Sequence, residues 1–337
     1  MSWWWTAVII CVAVLFAIFL VYIYRFEPFN FGLTDIRINI GTGQAKKKEE
    51  KLLTILHLSD FHLRKTYKGK RLFDFIQTLK SQKYDLVLIT GDMVENISNT
   101  DYLIQMLSPL KARYGKFAVF GVHDHYNKAF YEFAKNMFKR KRSYDAINDT
   151  RELRRKLKTI GIDVLSNEGR ILKMPVGDIG DIEIIGLDEP VVEKLDLDKA
   201  FSVIDPLKEG DIVDDSNYRD IGGELFDMDS ACIHRLNNIG RLRLALLHTP
   251  DSHVLATLHK KDVDIVFSGH THGGQVRLPL IGAIISGCRI KTRFASGLFY
   301  LQKMVLYISR GLGEGKYSQF RCYCPPEASI ITIYRTD

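Results

Sequence analysis

The chain has 337 residues, of which 46% are hydrophobic, 11% aromatic and 26% charged; this composition provides a buried core and excludes a mainly disordered chain. Its five cysteines are too few and too scattered for a disulfide framework or a zinc finger. The net charge of +7 is concentrated in residues 139–158, where nine basic and three acidic side chains give +6, so we expect a local acidic partner rather than a chain that is basic throughout.

Residues 3–24 form an apolar run of 22 residues without a charged side chain. A helix of this length spans about 33 Å, at ~1.5 Å per residue, and is long enough to cross a bilayer core. Tryptophans at 3–5 and tyrosines at 22 and 24 are typical of the two membrane interfaces. A cleaved signal peptide is the alternative, and it is disfavoured because no basic residue precedes the run and no small-x-small site follows it. We therefore predict a transmembrane anchor over 3–24.

The basic residues near this run predict its orientation. Only Met1 and Ser2 precede it, whereas Arg25 and four lysines within 46–51 follow it. The positive-inside rule then places the body of the protein in the cytoplasm, a reducing compartment that agrees with free thiols. We assign residues 25–50 to a linker between the anchor and the body.

The remainder, residues 51–337, alternates short apolar runs with helical patterns. The runs are typical of buried strands and cover 52–58, 85–90, 116–120, 182–187, 243–247, 264–268, 304–309 and 329–334. Helices are predicted over 71–82, 101–111, 129–138, 150–160 and 252–260. This alternation indicates a layered α/β fold. Two long stretches, 127–160 and 191–238, interrupt it and are predicted to be insertions.

Six of the ten histidines lie just past the ends of predicted strands, where ligands collect in α/β sheets. They occur in five clusters together with acids: Asp60 and His62; Asp92; His123, Asp124 and His125; His248; and His270 and His272. On an extended chain, residues two apart point to the same side, so Asp60 and His62 can face one ion, as can His270 and His272. His57 lies within a strand and is expected to be a core histidine.

Imidazole and carboxylate ligands without thiolates suit Mn, Fe, Zn or Mg. Two such cations clamp the attacking and leaving oxygens of an in-line displacement at phosphorus, and they lower the pKa of bound water. A single Asp-x-His pair is more often structural, but five clusters that each follow a strand predict a metal site. We therefore expect phosphoester hydrolysis.

The order of these clusters resembles the calcineurin-like metallophosphoesterases over about residues 51–337. Gly-His-Thr-His-Gly-Gly-Gln at 269–275 and Ser-Arg-Gly-Leu-Gly at 309–313 are similar to a membrane-anchored bacterial branch of that family. The resemblance implies a four-layer αββα sandwich of two mixed sheets, carried here on one N-terminal transmembrane helix in a bacterial inner membrane. It also implies two divalent ions, with Mn preferred over Fe, Zn or Mg.

By the same resemblance, one metal is held by Asp60, His62, Asp92 and His272, and the other by Asp92, His248 and His270. His123 is then the general acid, oriented by Asp124. The family's asparagine ligand is replaced here by Val122, which has no lone pair. Three explanations are open: water or His125 fills the gap, the second metal binds weakly, or the chain is a degenerate relative. We favour His125 as the substitute ligand.

The anchor favours an amphiphilic phosphorylated substrate at the membrane. The anchored branch includes enzymes that cleave UDP-2,3-diacylglucosamine to UMP and 2,3-diacylglucosamine 1-phosphate in lipid A synthesis, and the resemblance favours this reaction. The alternatives are a broad phosphodiesterase or lipid phosphatase, and an inactive anchored binding protein. A nucleic-acid substrate is disfavoured because the chain outside 139–158 is nearly neutral.

Two further expectations concern substrate binding. Arg310 is the best candidate for a phosphate contact because it follows a strand within a glycine-flanked turn. The basic segment 139–158 lies beside apolar side chains, and two interpretations are open: it acts as a lid over an amphiphile, or its residues 139–142 are a solvated charge run. No pattern in the sequence favours a particular oligomeric state.

Overall fold

Apolar runs form two sheets in the computed structural model, which describes residues 3–41, 49–127, 130, 135, 144–174, 180–205 and 241–336. Most of the helix predicted over 129–138, the basic residues 139–142 and most of the stretch 191–238 lie outside the described residues.

The strands and helices of the described residues follow one another in this order along the chain. The strands are β1 (Gly32–Gly41), β2 (Glu49–Leu58), β3 (Tyr84–Thr90), β4 (Ala112–Val119), β5 (Ile162–Val164), β6 (Glu168–Leu172), β7 (Asp181–Gly186), β8 (Arg241–Leu247), β9 (Ile265–Ser268), β10 (Arg277–Leu278), β11 (Gly282–Ala283), β12 (Gly297–Leu301), β13 (Met304–Ile308) and β14 (Glu327–Thr336). The α-helices are α1 (Trp3–Val21), α2 (Tyr67–Thr78), α3 (Thr100–Leu107), α4 (Val122–His125), α5 (Thr150–Thr159), α6 (Leu197–Phe201) and α7 (Ser252–Lys260).

Two mixed six-stranded sheets form the body. The first has the order β1-β14-β2-β3-β4-β5, in which only the β14–β2 pair is antiparallel. The second has the order β12-β13-β9-β8-β7-β6, in which β13, β9, β8 and β7 run parallel. All eight strands that the sequence predicts are present, with ends that differ by a few residues.

Buried apolar side chains form three clusters, one between the sheets and one on the outer face of each sheet. Residues of both sheets meet in a central core that includes Ile55, Leu88 and Phe267. A second cluster joins the outer face of the first sheet to α2, α3 and α5, and a third joins the outer face of the second sheet to α6 and α7. This arrangement is the predicted four-layer αββα sandwich, and the fold prediction is confirmed.

The segment assigned to a linker is part of the body. Residues 32–41 form β1, which pairs in parallel with β14 along its full length. Ile38 and Ile40 are completely buried, because apolar residues alternate along this strand and face the central core. The linker prediction is therefore wrong for these residues, although their alternating pattern is the usual signal of a half-buried strand.

The N-terminal helix is exposed along its length and joins the body directly. Residues Trp3–Phe29 form a helical segment that is long and apolar enough to cross a membrane. No residue of α1 is buried, whereas Ile23, Glu27 and Pro28 at its lower end are. The Ile23 carbonyl accepts a hydrogen bond from the Arg321 backbone N–H at 3.1 Å, so the helix end is fixed to the body.

The described part of the basic segment does not form a lid. Leu153 and Leu157 of α5 are buried in the cluster against the first sheet. The basic side chains of the helix pair with nearby acids, as Arg154 does with Glu168 and Arg155 with Glu152. The lid prediction fails for α5, because this helix is an outer layer of the sandwich.

His57 is a core histidine, as the sequence predicts. Its side chain is completely buried, and Nε2 lies 2.8 Å from the Thr90 hydroxyl. Burial lowers the pKa of His57 to about 3, below the value of about 6.5 that is usual in an unfolded chain. The unfolded chain therefore binds more protons between these values, and the stability that neutral His57 contributes is present above pH 6.5 and lost as the pH falls.

Replacing His57 by a side chain that does not titrate should remove this acid sensitivity. When the pH is lowered from 7.5 to 5.5, the free energy of unfolding of wild type should fall by about 1 kcal/mol more than that of His57→Gln. Denaturant unfolding of both detergent-solubilised proteins at the two pH values measures the difference. A difference that does not change with pH would contradict the neutral, buried state of His57.

Candidate metal centre

The carboxyl ends of parallel strands bring the site together. In the first sheet, β2, β3 and β4 run parallel and end before Asp60, Asp92 and His123. In the second sheet, β8 and β9 run parallel and end before His248 and His270. The loops of the two sheets meet, since the His270 backbone N–H donates to the Asp60 carboxylate at 3.1 Å.

A first group of ligand atoms comes from Asp60, His62 and His272, whose nearest donor atoms all lie within 4.8 Å of one another. His272 Nε2 lies 3.6 Å from Asp60 Oδ1 and 3.2 Å from His62 Nε2. Asp60 is fully buried and His62 nearly so. These three residues offer one carboxylate and two imidazole nitrogens to a single point.

A second group comes from Asp92, His248 and His270. His248 Nε2 lies 3.3 Å from both Asp92 Oδ2 and His270 Nδ1. The same Asp92 oxygen lies 3.5 Å from His62 Nε2 of the first group. Asp92 therefore stands between the two groups, in the position of a carboxylate that bridges two cations.

The imidazole tautomers are set by acceptors on the far side of each ring. The Nδ1 atoms of His248 and His272 lie 2.7 Å from the Thr90 carbonyl and 3.0 Å from the Gly313 carbonyl. Because a carbonyl only accepts, each Nδ1 carries the proton and each Nε2 directs a lone pair into the site. His62 Nδ1 lies 3.0 Å from the Glu95 carboxylate, with the same consequence.

The donor set fits divalent cations. Lone pairs of His62 Nε2 and His272 Nε2 face each other at 3.2 Å beside a buried carboxylate, an arrangement that repels itself unless a positive charge lies between the groups. Nitrogen and carboxylate oxygen ligands without sulfur are suited to Mn, Fe or Zn. The two groups would hold one cation each, with Asp92 shared.

The ligand loops are not extended, contrary to the expectation for the Asp-x-His and His-x-His pairs. Asp60, His62, Asp92, His270 and His272 all have positive φ, between 42° and 68°. Each such residue costs about 1–3 kcal/mol and persists only where its surroundings hold it. The pairs share a site because the chain turns sharply after each strand, rather than because alternate side chains of a strand share a face.

Glycine is required where the two sheets' loops touch. A Cβ atom on Gly269 would lie 2.0 Å from the Ser59 hydroxyl oxygen and 2.4 Å from Asp60 Oδ2. A Cβ atom on Gly121 would lie 2.2 Å from Asp92 Oδ1. Both distances are far below van der Waals contact, so only glycine permits these loops to approach the ligands.

His123 lies beside the metal ligands, but its partner differs from the expected one. Its Nδ1 lies 3.2 Å from Glu95 Oε1, and the other Glu95 oxygen contacts His62. Asp124 instead accepts hydrogen bonds from the backbone N–H groups of Gly121, Met93 and Val94. The prediction that Asp124 orients His123 is therefore wrong: Asp124 holds the loops together, and Glu95 holds the imidazole.

Their surroundings shift the pKa values of Glu95 and Asp124 in opposite directions. Burial on its own would raise the pKa of Glu95, but the adjacent His123 and His62 imidazoles hold it below its ordinary value. Burial raises the pKa of Asp124 to about 7, against the stabilising effect of its backbone donors. Glu95 follows Asp92 by three positions in Gly-Asp-Met-Val-Glu, and this spacing is the signal in the sequence that points to it.

His125 does not replace the missing asparagine. Its Nε2 lies 2.6 Å from Asp188 Oδ1, and neither ligand group includes it. Val122 is completely buried in an apolar cluster with Tyr144 and Val192. The His125 hypothesis is contradicted because α4 turns this side chain towards Asp188, and the second group keeps three protein ligands.

Arg310 is held by a carboxylate rather than directed at the ligand groups. Its guanidinium Nε and Nη2 donate to Glu327 Oε2 at 2.8 and 2.5 Å. Arg310 is also absent from the described side chains that line the cavity beside the metal ligands. The predicted phosphate contact is therefore not supported; the turn that carries Arg310 fixes it to Glu327 at the start of β14.

A cavity of about 540 Å³ opens at the two ligand groups. His62, Asp92, His123, His270 and His272 lie on its polar side. Val276, Ile284, Ile285, Tyr317 and Phe320 contribute apolar surface to the same cavity. A substrate with a phosphate and a large apolar part matches this division.

The family is now defined by both fold and site. The model of the calcineurin-like phosphoesterases matches residues 53–274, and the chain belongs to this family. It is a metal-dependent phosphohydrolase.

Individual relatives cover most of the chain at low identity. An uncharacterized metallophosphoesterase, YkuE of Bacillus subtilis (strain 168), is 25% identical over 84% of this chain and 79% of its own length. The phosphodiesterase YaeI of Escherichia coli (strain K12) is 27% identical over 83% and 81%. The UDP-2,3-diacylglucosamine pyrophosphatase LpxG of Chlamydia muridarum (strain MoPn / Nigg) is 26% identical over 83% of both chains.

Metal content distinguishes the ligands from the neighbouring histidine. We expect two equivalents of Mn in the purified wild-type protein, and fewer than one in Asp92→Ala, because the shared carboxylate serves both positions. His125→Gln should retain two, since its side chain faces Asp188. Elemental analysis after gel filtration measures all three, with thermal unfolding as a check of folding; loss of one equivalent in His125→Gln would contradict the assignment.

Proposed function

We propose that the chain is a single-pass membrane enzyme that hydrolyses UDP-2,3-diacylglucosamine to UMP and 2,3-diacylglucosamine 1-phosphate on the cytoplasmic side of a bacterial inner membrane. The observation that carries the proposal is the position of the cavity beside the end of the apolar helix. Phe320 lines the cavity and lies 5.5 Å, centroid to centroid, from the Tyr24 ring. A tethered cavity of this kind favours a substrate that resides in the bilayer.

Two further features support this substrate. The cavity is lined both by apolar side chains and by candidate metal ligands, a combination that suits a diacylated sugar phosphate. The LpxG relatives bear the name of this activity and align with 83% of the chain. The basic residues that follow the helix support the cytoplasmic orientation.

The residues around His123 can move the proton that the reaction needs. Bound divalent cations would polarise the phosphoryl oxygens and make hydroxide available from water near neutral pH. His123 lines the cavity and is positioned to donate a proton to the departing oxygen as the P–O bond breaks. The Glu95 carboxylate stabilises the protonated imidazole, and its second oxygen keeps His62 in the tautomer that a metal ligand requires.

A broad phosphodiesterase is the second candidate, because the YaeI relative is named as one. An inactive binding protein is the third, and Val122 in place of the family's asparagine is the feature that favours it. The His123–Glu95 pair opposes this third candidate, because a protein that only binds has no need of a general acid.

Hydrolysis of a chromogenic phosphodiester in the presence of Mn tests for an active enzyme. Activity should be present in wild type, absent in Asp92→Ala, and reduced in kcat by about 10²-fold in Glu95→Gln, because the imidazolium loses its counter-charge. Glu152→Gln on the exposed surface of α5 is the matched control and should be unchanged. An inactive wild type with two bound cations would favour the binding protein.

The lipid substrate is tested by the products. Purified full-length protein incubated with UDP-2,3-diacylglucosamine in mixed micelles should release UMP and the lipid 1-phosphate in equal amounts, as measured by mass spectrometry. Hydrolysis of the chromogenic diester without turnover of this lipid would select the broad phosphodiesterase. Asp92→Ala serves as the control for a contaminating phosphatase.

A further inference from the structure

The hairpin of β10 and β11 carries the most concentrated exposed apolar surface of the described body. Leu280 is fully exposed, and Ile281, Ile284 and Ile285 are 74%, 52% and 64% exposed. Outside residues 3–26 and this hairpin, the large apolar side chains exposed in the described part of the chain occur singly along the sequence. A contiguous patch of this kind marks an interaction site rather than ordinary surface.

The root of this hairpin is hydrogen-bonded to the segment at Arg321 and Cys322, which also bonds to the end of the apolar helix. The Arg277 N–H donates to the Cys322 carbonyl at 2.9 Å, and the Cys322 N–H donates to the Gln275 carbonyl at 3.0 Å. The preceding residue, Arg321, donates its backbone N–H to Ile23. One short segment therefore joins the hairpin to the point where the helix enters the body.

These links set the distance between the hairpin tip and the membrane interface. Ile23 lies between Tyr22 and Tyr24, the aromatic residues expected at the headgroup level. At ~3.3 Å per residue, Leu280 lies no more than about 13 Å from the root at Val276. The apolar tip is therefore within reach of the bilayer surface that the helix leaves.

We infer that the β10–β11 hairpin inserts its apolar tip into the same bilayer surface and forms a second membrane contact. This inference rests on the proposed function, because it requires the N-terminal helix to be a membrane anchor. The lipid bilayer is the occupant of the patch, since the adjoining helix already commits this end of the molecule to an apolar phase. Two contacts, a helix and a hairpin, fix the orientation of the body on the membrane, whereas a helix alone leaves rotation about its axis free.

The hairpin also connects the bilayer to the metal ligands. Ile284 and Ile285 follow β11 directly and line the cavity that contains His270 and His272. Gly274, two residues after His272, packs against Ala283 so closely that a Cβ atom there would lie 2.5 Å from the alanine Cβ. The apolar surface thus continues from the exposed tip to the ligand loop, and Lys316 adds a positive charge to the cavity.

This continuous apolar surface provides a route by which an amphiphilic substrate enters the cavity. Acyl chains remain against Ile284, Ile285 and the lipid, while the phosphate reaches the ligand groups. An amphiphilic phosphoester then enters from the bilayer rather than from water. A water-soluble phosphodiester does not use this route and is unaffected by changes at the hairpin tip.

Photolabelling from the lipid tests the contact without any need for turnover. The full-length protein is reconstituted in phosphatidylethanolamine and phosphatidylglycerol vesicles containing a phospholipid with a diazirine on its acyl chain, and labelled peptides are mapped by mass spectrometry. We expect adducts within residues 278–285 as well as in 3–24, and none around Val203, an exposed apolar residue at the end of α6. Adducts confined to 3–24 would overturn the inference, even if the lipid substrate proves to be wrong.

Substitution at the tip tests the route. In Leu280→Glu/Ile281→Glu, the rate on a vesicle-embedded amphiphilic phosphoester should fall by about tenfold, whereas the rate on a soluble chromogenic phosphodiester should be unchanged, because neither residue lines the cavity. Val203→Glu is the matched control and should leave both rates unchanged. The apolar replacement Leu280→Phe should retain the vesicle rate. An unchanged vesicle rate in the double variant would overturn the route.

Discussion

The lone pairs of His62 Nε2 and His272 Nε2 face each other at 3.2 Å, beside the buried carboxylates of Asp60 and Asp92. This arrangement is repulsive in the bare polypeptide, and buried charges of this kind are stable only when they are compensated. Five residues of the two groups also have positive φ, at a cost of about 1–3 kcal/mol each. Divalent cations held by the two groups would remove the repulsion and offset the strain, so the loops themselves favour metal binding. Because the ligands come from both sheets, metal binding would also couple the two halves of the sandwich.

The apolar helix and the site are parts of one structure rather than modules joined by a linker. β1 completes the first sheet, and the segment around Cys322 bonds both to Ile23 and to the root of the hairpin. The Cys324 thiol lies 3.2 Å from the His272 carbonyl, and its backbone N–H donates to the Glu27 carboxylate. Two hydrogen bonds through Cys324 therefore connect Glu27, at the end of the apolar helix, with His272, a candidate metal ligand. Hydrogen bonding within the body in this way sets the position of the cavity relative to the apolar helix.

Patterns local to the chain predict eight of the fourteen strands of the described residues, most helices and the residues that the two candidate ligand groups bring together, because buried strands and the polar residues that follow them are visible in sequence. The site predictions that are wrong concern the direction of side chains in the loops after the strands. His125 lies close to Val122 in the sequence, but a single helical turn directs its side chain to Asp188. Arg310 has glycine neighbours that suit a phosphate contact, but its side chain pairs with Glu327, 17 residues away. The alternating residues of β1 and the acid at position 95, three residues after Asp92, are visible in the sequence, whereas the contact that pairs this acid with His123 is tertiary and no local pattern specifies it.

The location of the cations is the most direct test of this account. Crystals of the full-length protein grown with Mn, with diffraction data collected at the Mn absorption edge, report metal positions independently of activity. The account predicts two anomalous peaks about 3.5–4 Å apart, one against Asp60, His62 and His272 and the other against Asp92, His248 and His270. No peak at these groups, or a single peak between Glu95 and His123, would contradict it.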